Sequence, residues 1–576
     1  MAAVEVSRRA RPQTGQRSPW RERLDGLASP SGMLLIAALV VAAFAVTTTE
    51  RDPDFWWHLR TGQLLLANHL QLLGTDPYTY SVPGHAWTMH EWLFEVCIAE
   101  LYSVGGIGAI VLVLSALTWL GILAMVGRTR LLTRSRVAIG LGILVAVIAA
   151  DPIWGPRDQM IDFTFACVVL LLVERYLTGG GRWLWILPPL FLLWSNLHGG
   201  FVIGLVFIAA IAAAEALGAR LGLPEPAPLR RSGWLALTTL GCGLMSMVNP
   251  NGPGILIYAW ATVASPAQQA LILEWQSPNF QMEEVRAFAV MLVSLAGFIV
   301  VNRRLRARDL VLVAGTAALA LESVRNIALF VAAATPVWSE QLAILTSRLR
   351  EQRDGRRHRA LAAATGEPAD DPEATSRAAP PPAPPPPLRR GAPPFSFRVA
   401  VLGIVTVALL GGYIGLRLAP SLAAAPGDLS YARTYPVCAS QWLRSGPHGL
   451  RIFNQYGEGG YLAWSLAGTG DRIFVFGDAA LMGDSLLYTY AQVIGAEPGW
   501  QGELERYGTQ VVLFDTGTPF DQVLRSSPRW VRVYHDPLSD AFVLRDQEAA
   551  LRLPPQPRPT GTCSLLAAQG LGTASS

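Results

Sequence analysis

Residues 33–58 read MLLIAALVVAAFAVTTTERDPDFWWH. The first half is an apolar run close to the ~20 residues that a bilayer crossing needs. The second half turns abruptly acidic and aromatic. A membrane helix that empties into a polar loop has this pattern, and the residues before it give its direction. Arg8, Arg9, Arg11, Arg17, Arg21 and Arg23 precede the run. Basic flanks stay in the cytoplasm, so the loop starting near Glu50 is external. Ala43-Phe44-Ala45 imitates a signal-peptidase site. The basic region is long for a signal peptide, so the run is expected to remain as a helix, and either outcome leaves the loop outside.

The same pattern repeats along the chain. Only 15% of the 576 residues are charged, against about 25% in ordinary soluble domains. Apolar stretches fall near 33–49, 104–126, 137–150, 159–177, 183–197, 201–218, 233–248, 286–302, 309–322, 326–342 and 397–418. Arginines cluster after the second (Arg128, Arg130, Arg134, Arg136), fourth (Arg175, Arg182) and sixth (Arg220, Arg230, Arg231) stretches. They cluster again after the eighth (Arg303, Arg304, Arg306, Arg308) and the tenth (Arg348 to Arg359). Arginine follows every even-numbered stretch, which is the signature of alternating cytoplasmic loops. The reading is a polytopic α-helical membrane protein of about 11 transmembrane helices with a C-terminal extracytoplasmic α/β domain.

Its parts are a basic cytoplasmic tail (1–32), a transmembrane domain (33–342) with an external loop at 50–103, a cytoplasmic linker (343–396) and a final helix (397–418). An external domain (420–550) and a disordered tail (551–576) follow. The linker ends in AAPPPAPPPPLRRGAPP, which favours extended, solvated chain.

From about residue 430 the periodicity shortens. Arg451–Asn454, Ile473–Phe476, Val511–Phe514, Val531–Tyr534 and Ala541–Leu544 are strand-like, with helical patterns near 457–467, 485–494 and 519–526. Asp536-Pro-Leu-Ser-Asp540 suits a hairpin turn. Tyr456-Gly-Glu-Gly-Gly-Tyr461 does not match GxGxxG and reads as a tight turn into a helix. Cys438 and Cys563 are the cysteines of this segment. The compartment permits a disulfide, whereas the tail position of Cys563 speaks against one.

Lysine is absent; all 46 basic residues are arginine. Schiff-base lysine chemistry and a Walker A ATPase are thereby excluded. Energy for a reaction has to come from an activated substrate, a gradient or a partner. Cys97, Cys167 and Cys242 lie in or beside apolar stretches and have no metal-ligand spacing.

The chemistry gathers at the external ends of the helices. Asp52 and Asp54 leave the first helix. His58 lies one turn beyond Asp54 on a helix expected over Phe55–Asn68. Aromatic residues at 55–57 would partly desolvate Asp54 and raise its basicity, so that it could take a proton from an attacking hydroxyl. As an ordinary residue, Asp54 would simply cap that helix. His90 and Glu91 precede the next helix and admit both a metal or donor site and a structural network. Asp151, Arg157 and Asp158 fill the loop after the third stretch. Asn196 and His198 end the fifth, Glu274 lies in a later external loop, and Glu322 and Arg325 lie between the ninth and tenth. Arg325 needs either Glu322 or a ligand phosphate as its anion. Trp56, Trp57, Trp87, Trp92 and Trp275 read mostly as an interfacial belt.

These motifs resemble the GT-C superfamily of membrane glycosyltransferases, including the family-39 and RgtA/B/C/D-like bacterial proteins. Asp54-Phe-Trp-Trp-His58 is similar to that family's first external loop, and Asp151-Pro-Ile-Trp-Gly-Pro-Arg-Asp158 occupies the place of its second acidic motif. His90-Glu-Trp-Leu93 sits where related chains re-enter the membrane. Phe55 stands where the family places a Glu after the Asp. The resemblance implies sugar transfer, with inversion, from a polyprenyl-phosphate donor to a glycan, lipid or protein acceptor at the outer face of a bacterial plasma membrane. It implies Asp54 as base, with Asp52 and Asp158 beside it, and Arg157 or Arg325 on the leaving phosphate. A divalent metal is the one cofactor it admits, and nucleic acid is not an expected partner. Two other classes use the same residues without chemistry: a flippase for lipid-linked sugars and a scaffold for envelope assembly.

Overall fold

The computed structural model describes residues 29–48, 52–222, 226–365 and 397–568. The basic tail before residue 29, the proline-rich part of the linker and the last eight residues lie outside the described residues.

Helices coincide with every apolar stretch. They are α1 (Pro30–Val46), α3 (Trp92–Leu132), α4 (Arg136–Ala149), α5 (Gln159–Gly179), α6 (Leu187–Leu197), α7 (Phe201–Leu221) and α8 (Leu229–Ser246), then α11 (Glu283–Asn302), α12 (Ala307–Glu322), α13 (Ile327–Thr365) and α14 (Phe397–Leu422). Three further helices lie in polar connections: α2 (Phe55–Ala67), α9 (Gly254–Val263) and α10 (Pro266–Leu271). Among the described residues, four helices are long and apolar enough to cross a membrane by length and composition alone: Trp92–Leu132, Phe201–Leu221, Glu283–Asn302 and Val324–Ala360.

Helix α3 shows how the chain passes from loop to bundle. Gly106 takes φ 59°, ψ −155°, a conformation open to glycine but strained for any other residue. The helix breaks there. Residues 92–104 are thereby set off from the rest of α3, which runs into the bundle. At the far end of α3, Arg128 is buried and ion-paired to Asp309 (3.2 Å) and Glu174 (3.4 Å). Arg308 bridges Glu174 (3.0 Å) and Glu215 (2.7 Å). These pairs tie α3, α5, α7 and α12 together. Removing one partner would leave a buried charge uncompensated, at a cost of about 3–5 kcal/mol.

The C-terminal lobe opens with α15 (Leu429–Ala432) and α16 (Val437–Arg444). It continues through β1 (Arg451–Asn454), α17 (Gly459–Ser465), β2 (Arg472–Ile473), α18 (Ala479–Ile494), α19 (Trp500–Arg506), β3 (Val511–Asp515), α20 (Pro519–Ser526), β4 (Trp530–His535), β5 (Ser539–Leu544) and α21 (Glu548–Leu551). The sheet order is β2-β1-β3-β5-β4. The first three strands are parallel, and β4–β5 form the expected hairpin. The sheet does not end at β2. The loop between α2 and α3 adds residues to that edge: Thr79 bridges Ile473 in parallel, Ile473 N–H donates to Tyr78 O (3.0 Å), and Tyr80 N–H donates to Ile473 O (3.2 Å). Loop and lobe therefore share one core, in which Trp57, Tyr78, Tyr80 and Trp87 pack with Phe453, Phe474 and Phe476.

Three expectations need correction. The helix expected to end at 342 does not stop there: α13 continues to Thr365, through the first part of the linker. Residues 343–365 are rich in Arg, Ala and Leu and hold no proline, so helix propensity carries them on. The tail from 551 is not disordered throughout. Cys438 and Cys563 form a disulfide, and a last helix, α22 (Gly561–Ala568), packs through the buried Leu566 near Tyr431 and Ala432. Trp56, Trp57 and Trp87 are no interfacial belt. They are 0%, 4% and 8% exposed, covered by a lobe whose docking the loop sequence does not announce.

Candidate active site

The loop after α1 is shaped by Asp52. Its carboxylate accepts from the backbone N–H of Asp54 (2.9 Å), an Asx turn that starts α2. Asp54 stands at the N-cap position of α2 but makes no capping hydrogen bond. Its Oδ1 accepts instead from the Trp57 indole (3.2 Å). The simple capping reading of Asp54 is thus not what the structure shows.

Arg157 reaches this loop from the turn before α5. Its Nε donates to Asp52, and its Nη2 to Glu274 at 2.6 Å. The Asp52 side is almost fully enclosed, whereas the Glu274 side chain is 39% exposed. Arg157 therefore has a sealed face and an open face.

A second layer is built on histidines. His198, in the turn between α6 and α7, contacts Asp158 (2.8 Å), Asp162 (2.7 Å) and Glu91 (3.2 Å). His90 contacts Glu91 at 2.7 Å and lies against the Tyr258 ring at 4.5 Å. His58 lies between Glu91 (3.3 Å) and Glu95 (3.5 Å). His58, Glu91 and Asp158 are buried and offer one ligand atom each, all within 4.8 Å of one another.

The lobe closes the centre. Gly477 faces Asp54 so closely that a Cβ there would fall on Oδ1 of its carboxylate. Asp478 accepts from the Trp87 indole (2.7 Å) and from the Leu481 N–H (3.0 Å). Tyr456 donates to Gly477 O at 3.3 Å. Gly459 and Gly460 make close packing, not a phosphate cradle: a Cβ on Gly460 would strike Pro53 O, and one on Gly459 would strike Val475 O.

Carboxyl groups outnumber bases here. Asp52, Asp54, Glu91, Glu95, Asp158, Asp162, Glu274 and Asp478 face Arg157, His58, His90 and His198. Even with every imidazole protonated, the excess is two to one. Burying like charges pushes protons onto some groups. Burial, with the charges of Asp52 and Asp158 adding to it and His58 opposing, raises the Asp54 carboxyl to about 7. Burial also raises Glu95 to about 7. Burial opposes charge on His58, yet Glu91, Glu95 and Asp158 outweigh it and lift the imidazole to about 10. Glu91 stays below its ordinary value, because His90, His58 and His198 overcome its desolvation. Asp158 is likewise held low by His198, His58 and Arg157 against its burial.

Most of the residues singled out in the sequence meet in this centre: Asp52, Asp54, His58, His90, Glu91, Arg157, Asp158, His198 and Glu274. Four do not join it. Asp151 is exposed in a turn. Glu322 is exposed and does not pair with Arg325, which lies over the Trp275 ring at 4.7 Å. Tryptophan, not a carboxylate, supplies that cation's partner. Asn196 is structural: it accepts from the Trp92 indole (3.0 Å) and donates to Leu192 O (2.8 Å) and Val248 O (3.0 Å). Sequence reasoning missed Glu95, Asp162, Tyr258, Tyr456, Gly477 and Asp478. Glu95 one turn after Glu91, and Asp162 one turn after Asp158, could have been found by helical spacing. The lobe residues carried no such signal.

No family model matches the chain, and no curated protein does. Among solved structures, the oligosaccharyltransferase AglB from Archaeoglobus fulgidus, in complex with an inhibitory peptide and a dolichol-phosphate, is similar with a TM-score of 0.50 at 14% identity. That match covers 84% of this chain and 69% of the other. ArnT from Cupriavidus metallidurans, bound to undecaprenyl phosphate, matches with a TM-score of 0.40 at 15% identity over 94% of this chain and 100% of the other. The arabinofuranosyltransferase AftD from mycobacteria gives 0.45 at 13% over 91% and 40%. The fold of this chain is thus similar to that of the AglB oligosaccharyltransferase.

Proposed function

We propose that this chain transfers a sugar, with inversion, from a polyprenyl-phosphate donor to an acceptor hydroxyl or amide at the outer face of a bacterial plasma membrane. Asp54 is the general base. The observation that carries the reading is the meeting of Asp54 with Asp52, Asp158 and Arg157 in one buried centre at the ends of the bundle helices. The solved relatives in complex with dolichol-phosphate and undecaprenyl phosphate support the kind of donor. The arginine pattern supports eleven crossings, with the lobe outside.

The residues divide the work. A base held near neutrality can accept the acceptor proton as attack proceeds and is not spent as a permanent anion. Arg157 is the phosphate ligand, and its open face is the place for it. The donor phosphate displaces Glu274, whereas Asp52 keeps the guanidinium aimed. Positive charge fixed before reaction stabilises the charge that grows on the leaving phosphate. Enclosure by the lobe excludes water, which would otherwise compete with the acceptor.

The residues also fit a divalent cation. One imidazole and two carboxylates converge, oxygen-rich donors suit magnesium or manganese, and the surplus of buried carboxyls calls for positive charge. His58, Glu91 and Asp158 would hold such an ion, which would add charge stabilisation for the leaving phosphate.

The test is transfer by the purified protein from a panel of radiolabelled polyprenyl-phosphate sugars, with the anomeric configuration of the product read by NMR. Transfer with inverted configuration is expected. Retained configuration, or binding of the donor without any transfer, would overturn the reading.

A further inference from the structure

The segment between β2 and α18, Phe474-Val-Phe-Gly477-Asp478, meets the stretch that carries Asp54 and Trp87. Two contacts make this junction unusual. Gly477 leaves no room for a side chain, because the Asp54 carboxylate occupies the place of a Cβ. Asp478, 6% exposed, spends both oxygens: Oδ2 accepts from the Trp87 indole at 2.7 Å, and Oδ1 from the Leu481 N–H at 3.0 Å. An acid with both oxygens engaged is poorly placed to serve a substrate, but it can hold a wall. The wall it holds runs from Trp87 to His90 and Glu91.

We propose that Gly477 and Asp478 of the C-terminal lobe are positioning residues for transfer. Gly477 sets where the Asp54 carboxylate stands. Asp478, through Trp87, fixes the loop that carries His90 and Glu91. The lobe is then half of the catalytic centre and not an appended module. This rests on the reading of Asp54 as base. A methyl group at 477 would drive the carboxylate from its place, and displacements near 1 Å in reacting groups lower rates by about 10²-fold. Asp478→Asn would keep the cap on α18 through its amide oxygen while presenting an NH2 group to the Trp87 N–H. Trp87→Phe would remove the same bond from the other side and keep an aromatic ring in place.

The experiment measures kcat and donor KM for Asp54→Asn, Gly477→Ala, Asp478→Asn, Trp87→Phe and the Trp87→Phe/Asp478→Asn double variant. Gly502, a lobe glycine with open space around it, serves as control in Gly502→Ala. Gly477→Ala is expected to lose about 10²-fold in kcat with donor KM within about threefold, while Gly502→Ala keeps wild-type values. The double variant is expected to match the worse single variant, since both remove one bond. Asp54→Asn at wild-type rate would overturn the base reading itself. Asp54→Asn inactive with Gly477→Ala at wild-type kcat would overturn the positioning role alone, as would additive losses in the Trp87–Asp478 cycle. If Gly477→Ala does not fold, that cycle decides.

Discussion

Arg157 holds Glu274 through Nη2 at 2.6 Å while its Nε is bound to the enclosed Asp52. The two carboxylates are not equivalent. Asp52 is buried and shapes the loop, whereas Glu274 comes from a partly exposed segment and occupies the face where a phosphate would bind.

Under the proposed function Glu274 is a placeholder on Arg157. Glu274→Ala is expected to lower the donor KM by about 1.5- to fivefold, because an exposed ion pair is worth roughly 0.2–1 kcal/mol and its loss frees the guanidinium. Arg157→Lys is expected to raise KM by more than tenfold, since a lysine cannot hold Asp52 and a phosphate in one planar fork. Steady-state kinetics with varied donor checks both. An increase in KM for Glu274→Ala would contradict the placeholder role.

The pH profile has a definite sign. Burial raises Asp54 to about 7, with Asp52 and Asp158 adding to it and His58 opposing. A base works only when deprotonated, so the protonated form that dominates below that value is inactive. Thus kcat is expected to fall about tenfold per unit as pH drops below ~6 and to level off above ~8. Asp52→Asn removes one of the charges that raise it and is expected to move the midpoint to lower pH.

A divalent ion in the His58–Glu91–Asp158 set should be visible without any turnover. Adding Mn2+ or Mg2+ to chelator-treated protein is expected to raise the thermal midpoint by mass action. Glu91→Gln is expected to abolish that shift. An equal shift in wild type and variant would place the ion elsewhere.

The Cys438–Cys563 bridge spans 125 residues of sequence. Closure of so long a loop contributes about 4–5 kcal/mol by chain entropy. It also anchors the chain beside Tyr435, whose hydroxyl donates to Asp52 O at 3.1 Å. The Cys438→Ser/Cys563→Ser variant is expected to unfold at a clearly lower denaturant concentration and to lose the protease resistance of the tail.

Much of this architecture is legible in the chain because the bilayer imposes a coarse code. Apolar length placed a helix at every stretch, although α3 starts 12 residues before its stretch and α13 runs 23 residues past its own, and short β-type runs marked the strands. The site was half legible. Asp54, His58, His90, Glu91, Asp158 and His198 sit at helix ends, where charged residues stand out against apolar sequence. Gly477 and Asp478 were not, because nothing local says that a turn more than 400 residues away will press on Asp54. Arg325 misled for the opposite reason: a nearby Glu322 suggested an ion pair, but the fold put Trp275 under the guanidinium. Cys563 misled too, since a proline-rich approach reads as tail until α22 is seen packed against α15.

The most direct measurement compares purified wild type with Asp54→Asn in single-turnover transfer from a radiolabelled polyprenyl-phosphate sugar, with donor binding measured in parallel. The expected result is unchanged binding and a rate lowered by about 10²- to 10⁴-fold, the usual share of a general base. Equal rates for the two proteins would contradict the assignment of this buried acid centre as the seat of transfer.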